Sequence, residues 1–325
     1  MKKWLLGLIF ASLLVMPLTA QLVSAEDQHI GIRDEADSIT VSTEYMTVRI
    51  LPSQAHLIWW YGNVSSADEM YKLQLLKIQE FTGDDAILDD KSELGGISYS
   101  LISDSWSYAI VQTAQELTIT MTLTGLANGA TIQLVMHVYT TDVPINGTDQ
   151  TVDALTELKF DIIIENWVFS PTAAGIAIES FLTEVQNRHR VRVRNGTLNE
   201  NGNATRTMQF ISDKYDDQAV AYFEWNTFAH VYNSTGDLVD TVDVGTSYFA
   251  DMISPPPGMG FEEVQDHLWL TYPNYENNMK LIHDPTIGLN ADLLASSVPL
   301  YVIPLVGGLA GIAIVSAVIL KKKRA

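Results

Sequence analysis

The chain has 325 residues, with 19 Lys and Arg against 39 Asp and Glu, a formal net charge of -20 and no cysteine. The missing cysteines exclude a thiol nucleophile, a cysteine metal site and a disulfide scaffold. So acidic a surface repels nucleic acid and anionic lipid headgroups, so no nucleic-acid partner is expected.

The N-terminus carries Lys2 and Lys3, an apolar run from Trp4 to Leu18, then Val23, Ser24 and Ala25. Basic, apolar and small-residue regions in that order predict a secretory signal peptide over 1–25, cleaved after Ala25. From there the pattern is strict alternation. Leu117, Ile119, Met121 and Leu123 interleave with threonines, and Ile132, Leu134, Met136 and Val138 repeat the pattern, as do Leu158, Phe160, Ile162 and Ile164. Period two with β-branched partners predicts antiparallel strands with one wet face. Similar runs lie at 46–51, 57–61, 71–78, 97–102, 220–228 and 267–272, separated by turn residues at the spacing of a β-sandwich. The expected fold class is all-β: a large antiparallel β-sandwich ectodomain over 26–284, one unit or two joined near the polar stretch 141–156.

Within this frame several stretches call for chemistry. Adjacent Trp59 and Trp60 must point to opposite faces of their strand, so one indole leaves the core, either under a loop or as a platform for sugar or protein. The acidic loop with Asp84, Asp85, Asp89, Asp90 and Glu93 offers carboxylates of the kind calcium prefers, but Ala86 and Leu88 stand where an EF-hand would need ligands. A solvated acidic loop is the first reading there, calcium binding the second, and no other cofactor is expected. Glu165 beside Trp167 and Glu224 beside Trp225 set acids next to indoles, as sugar-cleaving sites do and as buried tryptophans flanked by surface acids also do. Ile178, Phe181, Leu182 and Val185 match helical spacing, so one short helix at most is expected outside the C-terminal span, although 175–179 reads equally as strand.

Arg188, Arg190, Arg192 and Arg194 alternate with His189, Val191 and Val193. In a strand they form one row about 6.7 Å apart. The first reading is ion pairing with carboxylates of an adjacent strand; the second is a charged edge strand; the third is a face for an anionic polymer. Sequons stand at Asn63, Asn146, Asn195, Asn203 and Asn233, each at a predicted turn where a glycan can be carried. SPPPG over 254–258 is a stiff surface loop. No G-x-S-x-G elbow, H-E-x-x-H, P-loop or G-x-G-x-x-G is present, and no two histidines are placed to begin a zinc site.

After a short juxtamembrane linker at 285–297, residues 298–320 carry no charge and are followed by Lys321, Lys322, Lys323 and Arg324. At 1.5 Å per residue that run covers roughly 35 Å, enough for a transmembrane helix, and the basic tail 321–325 sets the C-terminus inside. Six of the 19 cations lie at the two ends, leaving 13 against 39 acids and a charge of -26 for the part between.

Signal peptide, cysteine-free β-rich ectodomain with sequons, and C-terminal anchor together resemble archaeal single-pass membrane-anchored surface glycoproteins. The resemblance implies no activity. The expected localisation is the plasma membrane, with the ectodomain outside. The expected function is a non-enzymatic cell-surface or envelope protein, structural or adhesive, whose partners beyond the membrane are other envelope proteins or surface glycans. The alternative is an extracytoplasmic carbohydrate-binding or carbohydrate-active protein.

Overall fold

A computed structural model describes residues 30–62, 69–83, 85–144, 151–184, 190–195 (backbone), 205–248 and 267–295. The expected signal peptide, proline loop, membrane span and basic tail lie outside these residues, as do Asp84, Asn63, Asn146, Arg188 and Asn203. Among the described residues no helix is long and apolar enough to cross a membrane.

In chain order the strands are β1 (Gly31–Glu35), β2 (Ser38–Ser42), β3 (Met46–Leu51), β4 (His56–Tyr61), β5 (Tyr71–Phe81), β6 (Leu94–Ser100), β7 (Trp106–Gln112), β8 (Glu116–Leu123), β9 (Thr131–Tyr139), β10 (Val143–Pro144), β11 (Thr151–Val152), β12 (Glu157–Glu165), β13 (Gly175–Glu184), β14 (Arg190–Asn195), β15 (Thr205–Ser212), β16 (Gln218–Asn226), β17 (Phe228–Tyr232), β18 (Leu238–Asp243), β19 (Gly245–Ser247), β20 (His267–Pro273), β21 (Lys280–His283) and β22 (Thr286–Leu289). A single helical turn, α1 (Ala291–Ala295), follows.

The first sheet runs β1-β2-β3-β4-β5-β13-β20-β19, and β6 lies on the same edge of β5 as β4 but against its second half. The second sheet is built around β12. One edge of β12 carries β9, then β8 and β7; the other carries β22 and β21 end to end, which lead on to β16-β15-β14 and to β17-β18 respectively. All these pairings are antiparallel, and the described residues up to 291 form one compact unit. Strands from both sides of 141–156 share each sheet, since β5 pairs with β13 and β9 with β12.

Alternation decides what lies between the sheets. Val48, Trp59, Tyr71 and Leu73 of the first sheet and Phe160, Phe210, Phe223 and Trp225 of the second are buried. Trp59 meets Phe210 edge-on at 6.2 Å between centroids and donates its Nε1–H to the Gly288 carbonyl at 3.2 Å, so one indole packs and bonds across the gap. A second bolt joins β20 to β21. There Tyr272 donates to Nδ1 of His283 at 2.9 Å, and His283 Nε2–H donates to the Asn226 carbonyl at 2.9 Å. Burial lowers the His283 pKa to about 4, so the ring is neutral.

The helical spacing of 178–182 is corrected to strand. β13 pairs with β5 and β20, and from Ile178 to Glu184 buried and half-buried residues alternate; Phe181, apolar at an outer position, completes the spacing that mimics a helical stripe.

Candidate functional site

The strand β4, HLIWWY, places Trp59 inward and Trp60 outward. Trp60 is 6% exposed, and among the described residues its Nε1–H has no acceptor. It is therefore a covered floor rather than an open stacking platform. Above it a groove of about 610 Å³ crosses the outer face of β1 to β4, lined among others by Arg33, Thr40, Ser42, Arg49 and Met70.

Register explains how its charges are arranged. Arg33 lies opposite Thr40, Thr40 opposite Arg49, Arg49 opposite Ile58, and Ile58 opposite Lys72. One row across five strands thus alternates cation and uncharged residue. Arg33 meets Glu35 at 3.8 Å with both side chains well exposed, a contact that contributes little. Among the described residues no carboxylate lies within ion-pair distance of Arg49 or Lys72. His56, on the same outer face and buried, has no hydrogen-bond partner for either ring nitrogen; burial, with Lys72 nearby, lowers its pKa to about 4.

The outer face of the second sheet holds a denser cluster. Lys159 bonds Asp161 and lies 3.6 Å from Asp284, while His137 sits between Asp161 at 3.5 Å and Glu116 at 2.5 Å. Burial opposes the charged imidazole, but its bonds to Asp161 and Glu116 outweigh that and raise its pKa. Burial likewise works to raise Asp161, yet His137 and Lys159 hold it below the usual carboxylate range. Asp284 is pushed up to about 6, by burial first. Nearby, Tyr222 donates to Glu157, whose other oxygen accepts Asp153 N–H at 2.6 Å; burial raises Glu157 to about 7. Tyr222 reaches across β22 because residue 288 is glycine: a Cβ there would lie 2.4 Å from the tyrosine ring.

No protein-family model matches the chain, and no curated protein does. One solved structure, titled "Crystal Structure Analysis of HI1317", is similar over 80% of this chain and 95% of its own, with a TM-score of 0.33 and 11% identity. A likeness that loose carries over no function.

The residues singled out from sequence fall as follows. In the acidic loop, Asp85 accepts from Ile87 N–H, Asp90 from Ser92 N–H, and Glu93 from the N–H groups of Asp89 and Asp90. These oxygens cap the loop's own backbone, and Leu88 anchors it by packing on Phe81, Ala177 and Trp269. Asn233 sits in an exposed turn, its Oδ1 accepting from Thr235 N–H at 3.0 Å and Thr235 Oγ1–H at 2.7 Å, so the sequon is pre-folded at the surface. Asn195 ends β14.

Arg190, Arg192 and Arg194 lie opposite Ile211, Gln209 and Thr207 of β15, a strand without a single carboxylate. Beyond Thr207 the row continues to Glu224 on β16. The acid–indole pairs separate too. Trp225 faces inward while Glu224 faces outward to accept from Thr207 Oγ1 at 2.8 Å, and Trp167 donates not to Glu165 but to Glu80. Sequence reading missed the Arg49–Lys72 row and the Lys159 cluster, because each is assembled from residues on different strands. The signal available was an isolated cation at an outward position of an apolar strand, as in MTVRIL and ELKFDIIIE.

Proposed function

We propose that this is a non-enzymatic binding protein of the cell surface, adhesive or structural in role. In this reading it is exported by 1–25, N-glycosylated, and held in the plasma membrane by 298–320 with the basic tail inside. The sequence of the two ends supports the topology. The observation that carries the binding role is the groove on the first sheet, where Arg49 has no acid partner among the described residues of a protein of charge -20. An acidic domain that leaves a cation unpaired in a concavity is arranged to receive an anion. Cells displaying the full chain should be retained on purified envelope material, and Arg49→Glu should abolish the retention. Equal retention by the variant would contradict the groove's role.

The alternative, a carbohydrate-active protein, is favoured by one observation. Glu157 near 7 and Asp284 near 6 stand with Lys159 and His137 on the outer face of the second sheet, and carboxyls so raised suit proton transfer. Release of new reducing ends from a polysaccharide, lost in Glu157→Gln, would decide for it.

A further inference from the structure

We infer that the groove on the first sheet recognises an acidic polysaccharide, with Arg33 and Arg49 of its lining, and Lys72 beyond it in the same row, engaging carboxylates of successive repeats. The inference rests on the binding reading above and gives it a ligand class.

Spacing is the first argument. The three cations occupy alternate strands of one row, so each is two strand spacings from the next, about 9.6 Å. That is close to the length of two linked pyranose rings, so along a polyuronate every second carboxylate falls on a cation of the row. Duplex nucleic acid carries a charge every ~1.7 Å along its axis, far denser than this row, and the net charge of the protein repels such a polyanion at long range. A polyuronate, with one charge per sugar, meets less repulsion.

The residues between the charges form the second argument. Thr40 stands between Arg33 and Arg49 and makes no side-chain hydrogen bond among the described residues, and Ser42 lines the same groove. Hydroxyls beside guanidinium groups suit a ring that carries both hydroxyls and a carboxylate. Beneath them Trp60 supplies an apolar floor. Among the described residues its buried Nε1–H has no acceptor.

The test is calorimetric titration of the full-length protein in nanodiscs of neutral lipid with oligogalacturonate, with neutral dextran and polyphosphate as comparison probes. Oligogalacturonate should bind, dextran should not, and polyphosphate at equal charge should bind more weakly. Arg49→Gln and Lys72→Gln should each weaken uronate binding about tenfold, because each removes one charge-assisted contact. Their melting temperatures should match wild type, since both are outer-face residues, and Arg194→Gln should leave affinity unchanged. Binding by the Arg49 and Lys72 variants equal to wild type, or a preference for polyphosphate, overturns the inference. Absence of uronate binding in a protein that still retains cells on envelope material overturns it while the adhesive reading stands. Cleavage of the oligomer overturns the non-enzymatic reading instead.

Discussion

Four donors converge on Glu80, which has no exposed surface: Trp167 Nε1–H at 3.2 Å, Ser170 N–H at 2.9 Å, Ser170 Oγ–H at 2.5 Å and Ile97 N–H at 3.0 Å. They come from residues as many as 90 positions away, so nothing in the local sequence announces the site. Glu80→Ala leaves these donors buried and unanswered. We expect a loss of about 3–5 kcal/mol in urea titration, with Glu80→Gln intermediate. Glu157 behaves differently because its pKa is raised, to about 7 from an ordinary 4.5. Between those values the folded protein holds a proton that the unfolded chain releases, so its contribution to stability falls as pH rises through that window. Glu157→Gln carries no such proton. Relative to wild type the variant should gain up to about 3 kcal/mol between pH 4.5 and 7 and then level off, as read by melting at stepped pH. His283, lowered to about 4, runs the other way: stability is lost as pH falls from 6.5 toward 4. The comparison therefore has to be made variant against wild type.

At the scale of elements, most strands are legible because their burial alternates. β8 and β9 read apolar and polar by turns, and each places its apolar residues inside. In β13 burial still alternates from Ile178 on, but an apolar residue at an outer position, Phe181, overlays a helical stripe on the sequence. The groove was half legible. Adjacent tryptophans guarantee that one faces outward, but that Trp60 lies in line with Ser42 and Thr47 depends on pairing registers that no single strand encodes. Glycine in β22 makes the same point. Gly288 lies opposite Tyr222 and Glu157, and its missing side chain lets the phenol reach the carboxylate. Gly288→Ala should push Tyr222 aside, destabilise by about 1–3 kcal/mol, and alter the pH dependence assigned to Glu157. An unchanged pH profile with the same loss of stability would separate the crowding from the hydrogen bond.

At the scale of the whole molecule, the first half of the chain cannot complete a sheet without the second. β5 needs β13, β12 needs β21 and β22, and Trp59 of the first sheet bonds Gly288 near the end of the unit. Residues up to 291 should therefore unfold in one transition, with tryptophan fluorescence and far-UV circular dichroism coincident in denaturant. Two separated transitions would contradict that. The charge of -20 leaves few cations to place, which is why the outer-face row Arg33, Arg49 and Lys72 weighs more here than it would in a neutral protein. The central claim is that this row is the recognition face. Hydrogen exchange of the full-length protein with and without oligogalacturonate tests it most directly. The account predicts added protection in β1 to β4 and none in β7 to β9; protection concentrated around Lys159 and His137 on the second sheet would contradict it.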